Sequence, residues 1–483
     1  MKAADIRRQL KHPIVDGDGH WLEPQPILIE FLRDTAGSAV TDQYLNQRRE
    51  SWYTAAPEER MRKRLRRMQP WYGNAASMPS DTLTRATCML PALMRERMEE
   101  LGIDFMIVYT TAGLGMSNIA NEDVRRGIIR AYNKMTAEMY APHRDVFAPA
   151  AVVPSHTVAE AIDETEYAVR ELGYKVIMVR TALPRPIAAY TDGSFGTTFE
   201  DASRRMPYYV DTLGLDNDQD WDAFWAKCVH LGVAVTVHGG AHEWPDRKSV
   251  NNFVFNHTGH FAQANHAATK GVFLGGVTRR FPGLNFGFLE GGVGYAVNLL
   301  HDLVGHWEKL NLDAIYENLW PGNLDADRLR AYILEYGDER MKSRVDQLMA
   351  SVKTTGDKSE AYDDFALAGI GSAEDLIELF TRNFYFGCEA DDPVSAWAFD
   401  PRMGFRLKAM FSSDISHFDV PDITEVLPEA YELVEHGLIN EDDFRDFTFA
   451  NAVRLHGSAN PSFFDGTSVE REATAVLKEA VPV

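Results

Sequence analysis

Residues 146–181, VFAPAAVVPSHTVAEAIDETEYAVRELGYKVIMVRT, hold the pattern that decides the fold. Two short runs rich in apolar residues, at 146–154 and 174–181, flank a stretch whose apolar positions fit one face of a helix. Gly173 stands where such a helix ends. The segment therefore predicts a strand–helix–strand unit with two parallel strands.

Further runs of this kind recur along the chain, and each ends in polar residues or glycine. The eight predicted strands are 13–20, 105–111, 146–154, 174–181, 233–239, 285–291, 383–389 and 410–417. Strands that alternate with helices form a parallel sheet, either closed or open and doubly wound. No GxGxxG motif follows the first strand, which argues against the open, dinucleotide-binding form. We predict an α/β fold, a (β/α)8 TIM barrel formed by residues 1–483 as one domain.

Two charged, helix-prone stretches, at about 21–100 and 303–380, exceed the needs of a minimal barrel. The active site of such a barrel lies at the C-terminal ends of its strands. We expect helical insertions that cover this C-terminal mouth or form a subunit interface, and therefore a homodimer.

The charge balance limits the classes of partner. Lys and Arg number 49 against 71 Asp and Glu, and the formal charge of -22 repels polyanions, so no nucleic-acid partner is expected. No run of about 18 apolar residues and no secretion signal occurs, so we expect a cytoplasmic protein without membrane contact. Cys88, Cys228 and Cys388 form no CxxC pair, which predicts reduced thiols.

Polar residues end three of the predicted strands. Asp18 and His20 alternate on one face of the first strand, His238 ends the fifth, and Asp414 ends the eighth. Taken singly, such a strand-end residue is more often a hydrogen-bonded core residue than a metal ligand. Together they would meet at one mouth, and imidazoles with carboxylates suit zinc, manganese or iron with an open position. This predicts a catalytic site for one divalent ion, with zinc preferred over manganese or iron.

The chain resembles the amidohydrolase superfamily, in particular the amidohydrolase-related group that includes aminocarboxymuconate semialdehyde decarboxylase and the resorcylate decarboxylases. The resemblance lies in IVDGDGHWLEP (14–24), LGIDFMIVYTT (101–111), AYNKM (131–135), VTVHGG (235–240), RRFPGLNFGFLEGG (279–292), FSSDISHFD (411–419) and NAVRLHG (451–457). It implies metal ligands at Asp18, His20, His238 and Asp414. Asp18 departs from the His or Glu of the decarboxylases, and Glu290 stands where they carry a His on strand six.

The resemblance also implies roles in the reaction. A metal-polarised water or substrate oxygen would react, with Asp414 as both ligand and proton shuttle. Glu290 is predicted as a second acid/base group, and a salt bridge is the alternative. His417 is expected to orient Asp414 or to bind substrate. Arg180 ends strand four and would grip a substrate carboxylate, unless it closes a structural ion pair.

The segment after the fifth strand is rich in histidine. His242, His257, His260 and His266 lie there, and at least one is expected to line the pocket, with His242 as the substrate-binding candidate. Glu23, in HWLEP, would either support the metal ligands from behind or cap the segment that follows.

Three functions are compatible with these residues. The first is metal-dependent hydrolysis of a C–C, amide or ester bond next to a carbonyl in a small, aromatic or carboxylated substrate. The alternatives are non-oxidative decarboxylation of an aromatic or enol acid, and a non-catalytic barrel that binds a ligand. Glu290 in place of a His favours hydrolysis.

Overall fold

The fold is an eight-stranded parallel sheet whose strands follow one another in sequence order. The computed structural model describes residues 1–49, 81–187, 208–239 and 252–479. The barrel strands are Val15–Trp21, Phe105–Thr110, Phe147–Val152, Val176–Val179, Val235–Val237, Phe286–Phe288, Phe384–Glu389 and Lys408–Ser412. All eight predicted strands are present, and the predicted fold class is confirmed.

The first and last strands meet and bring the sheet close to a closed barrel. The backbone N–H of Asp414 donates to the carbonyl of Asp18 at 3.1 Å, and that of His20 donates to the carbonyl of Ile415 at 3.0 Å. These bonds join the C-terminal end of the first strand to the turn that follows the eighth. The two predicted ligand positions are therefore neighbours across the seam of the barrel.

The strands are buried on both faces, which explains their almost continuous apolar sequences. Phe286, Phe288 and Phe384 are fully buried and pack ring against ring between the sixth and seventh strands. Several buried polar side chains collect at the C-terminal ends of the strands, among them His20, His238 and Asp414. The core thus supports one polar end of the barrel.

Helices surround the barrel. They are Ala3–Gln9, Gln25–Arg49, Thr82–Met89, Pro91–Leu101, Glu122–Tyr140, Val158–Arg170, Asp222–Leu231, Phe253–His257, His260–Leu274, Val277–Arg280, Gly294–Leu310, Ala326–Tyr336, Glu339–Ser343, Val345–Ser351, Ala373–Asn383, Val426–Glu435, Glu441–Arg445, Asn451–Gly457 and Glu470–Lys478. An antiparallel pair of strands, Leu183–Pro186 with Tyr208–Asp211, follows the fourth barrel strand and was not predicted. Within the described ranges, no helix is both long and apolar enough to cross a membrane.

The first predicted insertion is helical in its described parts and lies beside the mouth. The backbone N–H of Leu22, just after the first strand, donates to the carbonyl of Cys88 at 2.9 Å. The helix Thr82–Met89 therefore sits next to the C-terminal end of that strand. The helical stretch Gln25–Arg49, which is broken at Gly37, packs on the helix Glu122–Tyr140.

The second insertion is also largely helical, but its last part differs from the prediction. Arg279 precedes the sixth strand, and its guanidinium donates to the carbonyl of Ala368 at 3.0 Å and to Asp375 at 2.7 Å. The amide of Asn383 donates to the carbonyl of Leu284 at 2.9 Å, at the same end of the strand. Residues 368–383 thus lie at the N-terminal end of the barrel and do not cover the mouth. The helix Gly294–Leu310, which spans the start of the insertion, explains this because it leads the chain away from the mouth.

Candidate metal centre

Three of the predicted ligands converge on one point. The Nε2 atom of His20 lies 3.4 Å from Asp18 Oδ1 and 3.3 Å from His238 Nε2. All three side chains are buried. Two ligands that are each about 2.0–2.1 Å from a tetrahedral ion lie about 3.3 Å from one another. The spacing of these three side chains therefore matches the edges of a small coordination polyhedron.

Backbone carbonyls fix the orientation of both imidazoles. His20 Nδ1 lies 2.8 Å from the carbonyl oxygen of Thr110, and His238 Nδ1 lies 2.8 Å from that of Gly239. A carbonyl accepts and cannot donate, so each Nδ1 carries the proton and each Nε2 presents a lone pair. Two lone pairs that face each other across 3.3 Å require a positive charge between them. This arrangement is typical of metal-ligating histidines.

Several carboxylate oxygens at the centre accept no hydrogen bond from the residues that the structure describes. Within those ranges, both oxygens of Asp18, Oε2 of Glu290 and Oδ2 of Asp414 are buried without a hydrogen-bond partner. Burying a charged oxygen without a partner is strongly unfavourable, so these atoms fit the role of cation ligands. Two imidazoles with these carboxylates form a donor set that a divalent ion such as zinc, manganese or iron accepts.

Asp414 belongs to a second group that shares His20 with the first. Its Oδ1 lies 3.6 Å from His20 Nε2 and 2.5 Å from His417 Nδ1. Thr111 Oγ1 lies 3.3 Å from the other ring nitrogen of His417. One oxygen of Asp414 is thus held by His417, while its second oxygen stays free for another partner.

Glu290 links the two groups. Its Oε2 lies 3.2 Å from His238 Nε2, and its Oε1 lies 3.6 Å from His417 Nδ1. The structure therefore brings together Glu290 and His417 with the four residues predicted as ligands.

Burial dominates the electrostatics of the three acids. It raises the pKa of Asp18 to about 6, although the neighbouring imidazoles of His238 and His417 oppose this rise. Burial also raises the pKa of Asp414 and that of Glu290 well above their ordinary values, and the charge of Asp18 raises the pKa of Glu290 further. The site holds more negative charge than its own residues neutralise, which a bound cation would relieve.

The histidines divide into two kinds. Burial lowers the pKa of His238 to about 4 and that of His20 well below its ordinary value, so both are neutral donors. Burial alone would also lower the pKa of His417, but the charge of Asp414 and its hydrogen bond raise this pKa to about 9. His417 is therefore suited to pairing with a carboxylate.

The backbone is strained where the acids stand. Glu290 has φ 58°, Asp414 has φ 49° and Ser416 has φ 96°. Residues other than glycine rarely adopt this left-handed region, and where they do they cluster at functional sites. The turns after the sixth and eighth strands thus aim these two carboxylates inward at some cost in stability.

A cavity of about 290 Å³ adjoins Glu290. Among the histidines that follow the fifth strand, His257 and His260 line it, whereas His266 packs its ring against Tyr295. That one of these histidines lines the substrate pocket stays a prediction. His242 lies outside the described residues.

Arg180 ends the fourth strand and is buried, and its guanidinium donates to the carbonyl of Ser117 at 3.3 Å. A backbone contact of this kind neither requires nor excludes a substrate carboxylate. The predicted role of Arg180 in substrate binding stays a prediction.

Sequence reasoning missed three acids in the cavity wall, Glu389, Asp392 and Asp419. Burial and the neighbouring charge of Asp419 raise the pKa of Glu389 to about 7. Glu389 ends the seventh barrel strand, which is the signal that could have identified it. Asp392 and Asp419 lie in loops, where no strand pattern marks them.

Comparison with known proteins agrees with this barrel fold. The sequence pattern of the amidohydrolase family matches residues 97–341, more than half of the 483-residue chain. The chain belongs to this family of enzymes, and the resemblance of its motifs is confirmed. A search of curated protein sequences gives no match.

Solved structures with some similarity to this one were also found. An amidohydrolase from Mycobacterium avium subsp. paratuberculosis K-10 superposes with a TM-score of 0.53 and 14% identity, over 93% of this chain and 100% of the other. A dihydroxybenzoic acid decarboxylase from Polaromonas sp. JS666, solved with manganese and 2-nitroresorcinol, has a TM-score of 0.49 and 15% identity, over 94% of this chain and 99% of the other. A 4-oxalomesaconate hydratase from Rhodopseudomonas palustris has a TM-score of 0.46 and 14% identity, over 96% of this chain and 100% of the other. At these identities the first likeness shows a shared fold.

Proposed function

We propose that this protein is a hydrolase that uses one divalent metal ion to cleave a C–C, amide or ester bond next to a carbonyl in a small substrate. The observation that carries this proposal is the position of Glu290. Its carboxyl group touches the imidazole of His238 on one side and lines the cavity on the other. An acid/base group is therefore held between the metal centre and the space where a substrate fits.

The chain's own residues would hold the ion. Asp18, His20, His238 and Asp414 are the proposed ligands, with zinc preferred and manganese or iron as alternatives. The ion would supply Lewis acidity to an oxygen of water or of the substrate carbonyl.

Hydrolysis adds water across the scissile bond. The hydroxyl goes to the carbonyl carbon, one proton is removed from the water, and one proton is delivered to the leaving group. We assign proton removal to Asp414, which His417 holds by a bond of 2.5 Å. We assign proton delivery to Glu290, because its carboxyl faces the cavity in which the leaving group would lie.

The cavity wall supports hydrolysis over decarboxylation. Glu389, Asp392 and Asp419 line it together with Glu290. Any of these acids that ionises repels the anionic group of a decarboxylase substrate, whereas a protonated one such as Glu290 can donate to an uncharged leaving group. Phe261 adds an apolar surface beside these acids. We propose that the leaving-group side of the substrate occupies this cavity.

The test is to incubate zinc-loaded protein and chelator-treated protein with aryl esters, anilides, vinylogous diketones and hydroxybenzoic acids. Acid release and carbon dioxide release are measured in parallel. We expect zinc-dependent acid release without carbon dioxide. Zinc-dependent carbon dioxide release from an aromatic acid would establish the decarboxylase alternative, and a protein that binds no zinc, manganese or iron would support the non-catalytic barrel.

A further inference from the structure

Glu23 lies just beyond the first strand and binds the turn after the second. Its carboxylate accepts a hydrogen bond from the hydroxyl of Thr110 and bonds of 2.9 Å from the backbone N–H groups of Thr111 and Ala112. One carboxylate thus holds three consecutive residues. Charge-assisted bonds of this kind are among the strong ones in proteins.

The residues that Glu23 holds are themselves in contact with the metal centre. The carbonyl of Thr110 accepts the proton of His20 Nδ1, and the hydroxyl of Thr111 lies 3.3 Å from His417 Nε2. The first contact sets which nitrogen of His20 faces Asp18 and His238. The second steadies the histidine that holds Asp414.

We infer that Glu23 is a positioning residue for the metal centre, acting through the turn at residues 110–112 on His20 and His417. This inference rests on the proposed metal site. Glu23 could instead have served only to cap the segment that follows it, but its bonds run to the turn after the second strand. Partners behind the ligands set their orientation and basicity, and losing one weakens metal binding about 10- to 100-fold.

The experiment measures zinc affinity by competition with a fluorescent chelator, independently of any substrate. Glu23→Gln keeps the size of the side chain but places an amide NH2 where the carboxylate accepted hydrogen bonds. The turn at residues 110–112 therefore loses part of its hydrogen bonding to this side chain. We expect the dissociation constant for zinc to rise about 10- to 100-fold. Thr110→Val removes the hydroxyl that donates to Glu23, so it should also raise the dissociation constant for zinc. Thr110→Ser keeps a hydroxyl and should return this constant to the wild-type value.

Glu164→Gln is the matched control. Glu164 is also buried and accepts bonds of 2.8 Å from Asn133 and 2.6 Å from Arg130, but it lies on the outer helix Val158–Arg170. We expect this variant to melt at a lower temperature while its zinc affinity stays within about twofold of wild type. A Glu23→Gln or Thr110→Val protein with unchanged zinc affinity would overturn the inference. A wild-type protein that binds no divalent ion would instead overturn the proposed function.

Discussion

The carboxylate of Asp16, in the first barrel strand, accepts the backbone N–H of Ser413 at 3.0 Å and the hydroxyl of the same residue at 2.5 Å. Its Oδ1 also accepts the backbone N–H of Asp18 at 3.1 Å. These bonds tie the first strand to the turn after the eighth, directly beside Asp18 and Asp414. Closure of the barrel and construction of the metal centre therefore depend on the same side chain.

Two replacements of Asp16, by Asn and by Ala, distinguish the contribution of its hydrogen bonds from that of its charge. Asp16→Asn can still accept both backbone N–H groups and can donate to the Ser413 hydroxyl, so we expect little change in the free energy of unfolding. Asp16→Ala leaves two buried N–H groups unpaired and should lose about 3 kcal/mol. Urea denaturation of the three proteins measures the difference. Equal stability of the Ala and Asn variants would show that the bonds to Ser413 contribute little.

His238→Ala removes a neutral nitrogen donor and leaves two carboxylates with His20. We expect weaker zinc binding and a collapse of turnover, measured by metal analysis after dialysis and by the assay above. Because a metal stabilises the folded state by mass action, added zinc should raise the melting temperature of wild type more than that of the variant. His266→Ala is the control, because the ring of His266 packs against Tyr295. This variant should respond to zinc as wild type does.

Glu290→Gln keeps the size of the side chain and removes its ability to transfer a proton. We expect near wild-type metal content and a fall in turnover of about a hundredfold or more. Metal analysis and steady-state kinetics on one preparation give both values. Normal turnover by this variant would make Glu290 structural and would withdraw the main support for hydrolysis.

His456 should make the protein less stable in mild acid. Burial lowers its pKa in the folded state to about 3, below the ordinary value of 6.5. Between these two values the unfolded chain binds a proton that the folded chain does not, so stability is complete above about pH 6.5 and falls as the pH decreases. We expect a loss of about 2 kcal/mol between pH 7 and pH 5 from this residue.

The measurement is the free energy of unfolding of wild type and His456→Phe at several pH values. The ring of His456 stacks on Phe463 with centroids 4.8 Å apart, so a phenyl ring can occupy the same place without titrating. Other groups contribute equally to both proteins and cancel in the comparison. Parallel stability curves for the two proteins would contradict the assignment.

The sequence alone predicts the barrel well because its strands are buried on both faces. Nearly continuous apolar runs, such as that around the fifth strand Val235–Val237, are easy to recognise, and His238 stands out as a polar residue at its end. The geometry of a barrel then brings the ends of strands together without further information. The positions of Asp18, His20 and Asp414 follow from this rule.

What the sequence does not predict depends on contacts between distant segments. The carboxylate of Glu23 meets the turn at residues 110–112, a separation in sequence that no local pattern encodes. Asp392 and Asp419 reach the cavity from loops. The path of the second insertion depends on how the helix Gly294–Leu310 directs the chain, and local helix propensity does not encode that direction.

The left-handed backbone at Glu290 and Asp414 has a consequence for engineering this protein. Glycine adopts that conformation without strain and would also remove a buried acid, so replacing either acid would relieve strain in the metal-free protein. Selection for heat tolerance without metal and without selection for turnover would therefore favour the loss of these two acids. A thermostability programme on this barrel has to hold both positions fixed, because the most easily gained stability lies where the proposed chemistry would be lost.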